Sequence, residues 1–146
     1  MFNLECHEAA LASFNKSLEL QSDNFKALTN RGDELIQLER YEEALASFDK
    51  ALEIKPDNHI ALNGRGLNLS LMGRFKEAIA SIDRVIQIQP DEVLYVANKG
   101  IILARQGNYE EALAYCNQAI DLNSKDESGY YAKACCLPYK IIMTSR

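Results

Sequence analysis

The sequence repeats itself with a period of 34 residues, and this periodicity limits the possible fold more than any other feature. Aligning the chain with itself at that offset superimposes glycines, aromatic residues and alanines without a gap. The matching sets are Gly32, Gly66 and Gly100; Tyr41, Phe75 and Tyr109; and Ala44, Ala78 and Ala112. We predict three complete units, at residues 25–58, 59–92 and 93–126, in a single array that fills the chain from residue 1 to residue 146.

Both ends of the chain fall in the middle of a unit. Residues 7–24 match the second half of a unit, and residues 127–137 match the first half of another. We expect residues 138–146 to be irregular, because Pro138 lacks an amide donor and interrupts a helix. This pattern favours an excised fragment or a truncated reading frame of a longer repeat protein.

The spacing of apolar residues predicts two helices in each unit. Leu28, Gly32 and Leu35 recur at three- and four-residue intervals, as on one face of a helix. Short turns are predicted at 39–40, 73–74 and 107–108, and Pro56 and Pro90 are expected to end second helices. The chain is therefore predicted to be all-α, and its helical hairpins must stack because a single hairpin leaves an apolar face exposed.

The recurring glycines have a steric meaning. A glycine inside a helix costs about 1 kcal/mol relative to alanine, so its recurrence in the first helix indicates that another backbone passes close to it. The recurring alanines are predicted to form the facing surface on the second helix, and the recurring aromatic residues to fill the space near each turn. His7 occupies that aromatic position in the half unit at 7–24, so we predict the same role for it.

This period and these landmarks resemble the tetratricopeptide repeat, which has a glycine in its first helix, an aromatic residue at the turn, alanines in its second helix and a closing proline. The resemblance is weakest in 93–126, where Cys116 replaces an aromatic residue and Ser124 the proline. It implies an α-α superhelix, a solenoid of antiparallel helical hairpins with a right-handed twist. It also implies a non-catalytic interaction scaffold, whose first helices line a concave groove that binds a peptide.

The resemblance places ten residues of this chain in that groove. They are Lys26, Asn30, Asp33, Ile60, Asn63, Leu67, Leu94, Asn98, Ile101 and Arg105. Asparagine amides can donate to and accept from the backbone of an extended peptide, and the aliphatic residues offer sockets for its apolar side chains. The alternative is that the asparagines are ordinary solvated residues and the aliphatic residues pack against a further helix of the parent protein.

One subclass of the family binds the acidic C-terminal tails of heat-shock chaperones through a clamp of lysine, arginine and asparagine. The clamp positions of this chain hold Thr29, Asp33, Gly64, Leu94 and Asn98. Only Asn98 fits, and Asp33 would repel a carboxylate. The sequence therefore predicts a partner protein or peptide that is not held by a carboxylate clamp.

Charge and hydropathy exclude two classes of partner. The chain has 16 Lys and Arg residues against 21 Asp and Glu residues, for a net charge of −5, which does not suit a nucleic-acid partner. It contains no apolar stretch near the ~18 residues that span a bilayer, and its start lacks the order of a signal peptide. We expect no membrane association and a cytoplasmic location.

Residues that could carry chemistry are few. His7 and His59 are the only histidines, and the four cysteines show no metal-ligand spacing. Cys135 and Cys136 are neighbours, but adjacent side chains on a helix point about 100° apart and hold one ion poorly. We predict no metal, no cofactor and no catalytic residue, and we leave the role of these two cysteines open.

The half unit at the start of the chain suggests a second possible function. Its helix would leave Ala10, Phe14 and Ser17 uncovered without a first-helix partner. Residues 1–6 folding back, another copy of the chain, or sequence from a longer protein could cover that face. The alternative function is therefore self-association, in which arrays stack end to end through terminal helices and form a homo-oligomer.

Overall fold

The computed structural model describes the backbone of residues 2–144 and the side chains of residues 3–137. Within this part of the chain there are eight α-helices and no strand. They are α1 (Phe2–Leu20), α2 (Phe25–Gln37), α3 (Tyr41–Ile54), α4 (His59–Leu71), α5 (Phe75–Ile88), α6 (Val93–Gln106), α7 (Tyr109–Leu122) and α8 (Glu127–Thr144). The predicted all-α class is confirmed.

The helices stack in chain order. The pairs α2–α3, α4–α5 and α6–α7 are hairpins, each of which packs against the next, while α1 covers α2 and α8 packs against α6 and α7. The buried side chains follow this stacking, since each apolar cluster joins neighbouring helices. Contacts between neighbouring helices therefore hold the solenoid together, as expected for a repeat protein.

Phe48 of α3 fills the space between two first helices. Its side chain is 1% exposed. A Cβ atom added to Gly32 of α2 would lie 2.6 Å from the ring Cζ, and one added to Gly64 of α4 would overlap the same ring. Gly32 thus makes room for the ring of Phe48. The predicted close approach of a backbone stays a prediction at this position.

The other two recurring glycines differ from each other. A Cβ atom on Gly100 would lie 3.2 Å from the carbonyl oxygen of Ala112 and 2.6 Å from Cys116 Sγ, so the predicted close backbone is present there. A Cβ atom on Gly66 would meet nothing closer than the carbonyl oxygen of Ala78, at 3.4 Å. One repeat position therefore has three different degrees of crowding.

The turns between paired helices use a left-handed residue. Gly73 and Gly107 have φ values of 78° and 98°, and Glu39, at the equivalent position, has a φ of 58°. Glycine adopts this conformation easily, whereas a residue with a Cβ atom adopts it at a cost. The predicted turns are confirmed, and the first of them is strained at Glu39.

Replacing Glu39 with glycine is expected to raise the free energy of unfolding by about 0.5–1 kcal/mol. The strain energy that is relieved in the left-handed conformation exceeds the entropic cost of a more flexible unfolded chain. Urea denaturation measures the change. The reverse substitution, Gly73→Glu, is the matched control and should lower stability by a similar amount. A loss of stability in Glu39→Gly would contradict this account of the turn.

Polar bridges recur with the same period and were not predicted. A basic residue of each first helix links the second helices on either side of it: Arg31 contacts Asn15 and Ser47, Arg65 contacts Asp49 and Ser81, and Lys99 contacts Asp83 and Tyr115. Burial would lower the pKa of Lys99, but its hydrogen bonds to Asp83 and Tyr115 outweigh burial, and the pKa is raised. These bridges fix the register between successive units.

Both terminal helices are longer than predicted. Helix α1 begins at Phe2, so residues 2–6 continue the helix and do not fold back over it. Helix α8 begins at Glu127 as expected but passes through Pro138 to Thr144, so the irregular segment predicted at 138–146 is wrong for 138–144. Residues 145–146 lie outside the described part. A proline lacks the amide donor for one helical hydrogen bond, but it does not end this helix.

Candidate functional site

The first helices form one layer on the concave side of the stack. Helix α2 contacts α4, α4 contacts α6, and α6 contacts α8, whereas the described second helices α3, α5 and α7 make no contact with one another. Helices that lie closer together on one side of a stack bend it toward that side. The first helices therefore line an inner groove, and the second helices form the outer surface.

Three openings follow this groove. The N-terminal pocket, of about 570 Å³, is lined by Gln21, Asp23, Asn24, Phe25, Lys26, Thr29, Asn30, Ile54, Lys55 and Ile60. The central socket, of about 290 Å³, is lined by Asp33, Ile36, Gln37, Leu67, Ser70, Leu71, Ile101 and Arg105. The C-terminal socket, of about 350 Å³, is lined by Leu94, Ala97, Asn98, Ile101, Glu127, Ser128 and Tyr131. Ile101 lines both sockets, so the two sockets are neighbours along the groove.

Nine of the ten residues predicted for the groove line one of these openings. Lys26, Asn30 and Ile60 lie in the N-terminal pocket; Asp33, Leu67, Ile101 and Arg105 in the central socket; and Leu94 and Asn98, together with Ile101, in the C-terminal socket. The tenth residue, Asn63, contacts Asn98 instead. The structure thus brings the predicted residues to one surface but distributes them among three openings.

The two inner asparagines bind each other. Asn98 is buried, and its Nδ2 donates a hydrogen bond of 2.9 Å to Asn63 Oδ1. The prediction gave each amide a free donor and a free acceptor, but this pair uses one of each internally. Asn30 is exposed and keeps both groups accessible. The amide surface available to a ligand is therefore smaller than the sequence suggested.

Several lining residues were absent from the predicted set, although the period could have found them. Gln37 and Leu71 occupy the same repeat position as Arg105, which was predicted. Tyr131 of α8 occupies the position of Asn63, one helix beyond the last unit that the prediction treated as groove. Extending each predicted position through all the first helices would have found these three residues.

Asp33 and Arg105 are the charged residues of the central socket. Both are exposed, and neither makes an ion pair with any described residue. Desolvation in the concave surface, helped by the neighbouring charge of Glu34, raises the pKa of Asp33. The carboxylate of Asp33 therefore has no ion-pair partner that would offset this desolvation.

The raised pKa of Asp33 implies a pH-dependent cost to stability. Ionised Asp33 destabilises the folded state at neutral pH. This cost disappears as the pH falls below the pKa of an aspartate in the unfolded chain, which is about 3.9. Asp33→Asn is therefore expected to raise Tm near neutral pH and to lose that advantage near pH 3. Thermal unfolding of this variant and of Asp121→Asn, an exposed control on α7, checks it. An equal gain at both pH values would contradict the assigned cause.

The histidines make polar contacts. His7 Nδ1 lies 2.5 Å from Glu34 Oε2, so the half-buried ring joins α1 to α2 through a carboxylate. The predicted filling of the space near the turn by His7 stays a prediction. His59 Nδ1 lies 2.5 Å from the hydroxyl of Tyr95. Each histidine thus links two helices at a structural contact outside the three openings.

The buried thiols belong to the core. Cys116 and Cys136 lie with their sulfur atoms 3.6 Å apart, and burial raises the pKa of Cys116 to about 12, which keeps its thiol protonated. Cys136 therefore packs against a cysteine of α7, while its neighbour Cys135 is half-buried. Among the described residues, no group of three histidine, cysteine, aspartate or glutamate side chains could hold a metal ion.

Comparison with known families decides the identity of the repeat. Two models, each described as a tetratricopeptide repeat, match residues 25–58 and 97–126 and residues 60–92, which together make up more than half of the chain. The chain belongs to the tetratricopeptide repeat family. Proteins of this family are scaffolds for protein interactions. No curated protein matches this tetratricopeptide repeat chain in sequence.

Solved structures share its fold. A tetratricopeptide repeat protein from Parabacteroides merdae is 24% identical with a TM-score of 0.84, over 93% of this chain and 53% of that protein, so this chain spans about half its length. A thermophilic TPR protein from Thermus thermophilus is 20% identical with a TM-score of 0.83, over 93% of this chain and 75% of that one. These two likenesses concern the fold.

A third structure has a stated binding function. YrrB, a TPR protein with an unusual peptide-binding site, is 25% identical to this chain with a TM-score of 0.69, over 94% of this chain and 71% of YrrB. Across the described residues of the present tetratricopeptide repeat protein, each helix is too short or too polar to cross a membrane.

Proposed function

We propose that this chain is a non-catalytic scaffold that binds an extended segment of another polypeptide in its concave groove. The observation that carries the proposal is that the central and C-terminal sockets are neighbours that share Ile101, with Leu67 in the first and Leu94 in the second. Leu94 is 43% exposed although it belongs to the inner layer. Exposed aliphatic side chains arranged along one groove favour a ligand with apolar side chains.

Polar groups on the same surface suit the backbone of such a ligand. Asn30 is exposed beside the N-terminal pocket, and Ser128 and Tyr131 add hydroxyl groups to the C-terminal socket. Hydrogen bonds from side chains to a peptide backbone fix its path, while sockets select its side chains. The peptide-binding site of YrrB supports this use of the fold.

The test is a phage-displayed random peptide library, selected on wild type and on a variant with Leu67→Asp and Ile101→Asp. We expect wild type to enrich peptides with spaced apolar residues. The double variant should bind these peptides at least about tenfold more weakly, because an apolar side chain in the sockets would desolvate the new carboxylates. The matched control carries Leu20→Asp and Leu122→Asp, two exposed aliphatic residues that line none of the three openings. Unchanged binding by the double variant would exclude the groove as the site.

A second candidate function is self-association through α8. In the three complete units, the residues that face the paired second helix are buried: Leu28, Leu62 and Val96 at one position, and Leu35, Leu69 and Leu103 at another. The equivalent residues of α8, Tyr130 and Leu137, are 50% and 44% exposed. A second helix supplied by another copy, such as α1 through Phe14, would cover this face and continue the stack.

Light scattering over a range of concentrations separates the two functions. A dimer or longer assembly that is abolished by Phe14→Glu and by Leu137→Glu favours end-to-end stacking. A strict monomer that enriches peptides excludes it. The cytoplasmic location and the origin of the chain in a longer protein stay predictions.

A further inference from the structure

The central socket combines aliphatic side chains with a carboxylate, Asp33, that makes no ion pair with Arg105 or with any other described residue. Ile36, Leu67, Leu71 and Ile101 line the same opening as Asp33. Asp33 makes no hydrogen bond or ion pair with the described residues, and its neighbour Glu34 is engaged with His7. A carboxylate at the edge of an apolar opening attracts a cation whose remaining atoms are apolar.

Lysine and arginine side chains have this composition. Their aliphatic stems cover apolar surface while their charged ends remain near the edge. A short acidic or neutral residue would leave the aliphatic floor uncovered, and a purely aliphatic residue would leave Asp33 without a partner in a less hydrated site. The net charge of −5 also favours the approach of a basic segment.

An unpartnered buried group in the same opening supports a ligand there. Ser70 lines the central socket, is 2% exposed, and its Oγ has no hydrogen-bond partner. Buried hydroxyls are normally hydrogen-bonded, because an unmade bond costs free energy. A polar atom of a bound peptide that enters the socket is a partner for this hydroxyl after a rotation of its side chain.

We infer that the central socket selects a lysine or arginine side chain of the partner segment, with its stem on the aliphatic floor and its charged end at Asp33. The inference rests on the proposed function, since it requires a peptide in the groove. Arg105, on the same socket, then faces the residues that flank the basic one and favours an acidic group among them.

Library selection on charge variants tests the inference. Wild type, Asp33→Asn and Asp33→Lys are each presented with the random peptide library, with Asp121→Asn of α7 as the matched control. We expect wild type and the control to enrich peptides that contain a basic residue, Asp33→Asn to lose that preference while it keeps the apolar one, and Asp33→Lys to enrich an acidic residue at the same place. Asp33 is exposed, so these variants are expected to fold.

A selected peptide then provides a defined probe. Replacing its basic residue with norleucine, which keeps the stem and removes the charge, is expected to weaken binding to wild type about threefold and to leave binding to Asp33→Asn unchanged. Equal weakening in both proteins, or enrichment without any basic residue, overturns the inference while leaving groove binding intact. An absence of enrichment, or enrichment that Leu67→Asp with Ile101→Asp does not reduce, overturns the proposed function and the inference with it.

Discussion

Replacing Phe48 with alanine is expected to lower the free energy of unfolding by about 3–5 kcal/mol. The ring is 1% exposed and lies between Gly32 and Gly64, which are first-helix residues of successive units. Because two glycines face the ring, neither of these positions has a side chain that could fill the space that the ring leaves. Thermal unfolding should show Tm lower by about 10 °C or more.

The matched control for this substitution is Phe14→Ala in α1. Phe14 occupies the same repeat position as Phe48 but is only half-buried, so we expect a loss below about 2 kcal/mol. Similar losses in the two variants would contradict the claim that Phe48 joins successive units.

Gly100→Ala and Gly66→Ala are expected to change stability in opposite directions, although the two residues are equivalent in the repeat. An added methyl group at Gly100 would collide with the Sγ of Cys116 and crowd the carbonyl oxygen of Ala112, which should cost about 1–3 kcal/mol. At Gly66 its nearest neighbour is at ordinary contact distance, so the higher helix propensity of alanine should raise stability by up to about 1 kcal/mol.

Urea denaturation of the two variants measures these changes, with each glycine variant as the control for the other. If Gly100→Ala were as stable as wild type, the tight crossing of α6 and α7 would be absent. If Gly66→Ala were strongly destabilised, all three recurring glycines would be equally crowded, as the sequence alone suggested.

The fold was predictable because its determinants repeat. A single offset aligns the glycines, turn aromatics and alanines, and the hairpins follow from apolar spacing and from punctuation such as Pro56. Asn24 and Asn58, which cap α2 and α4 by accepting from the amides of Ala27 and Ala61, occupy equivalent positions and belong to the same signal.

Departures from the repeat were not predictable in the same way. Gly64 is a glycine in one unit only, since the equivalent positions of the other complete units hold Asn30 and Asn98. Its small size is explained by the ring of Phe48, which leaves no room for a Cβ atom there. The prediction for the end of α8 was wrong because Pro138 was taken to interrupt the helix, whereas the helix continues through it to Thr144.

The groove was predictable as a surface but not in its detail. Repeat position brought nine of ten residues to its openings, since first helices share one orientation. Whether two side chains such as Asn63 and Asn98 face a ligand or each other depends on the distance between neighbouring helices, which the sequence does not specify. The desolvation that raises the pKa of Asp33 also depends on how closely neighbouring helices pack, so the sequence alone did not predict it.

Hydrogen exchange of backbone amides, with and without a peptide selected on wild type, tests the central claim most directly. A segment bound in the concave groove should slow exchange in α2, α4 and α6 and leave the outer helices α3, α5 and α7 unchanged. Slower exchange confined to the outer helices, or to α1 and α8, would place the partner elsewhere and contradict the account.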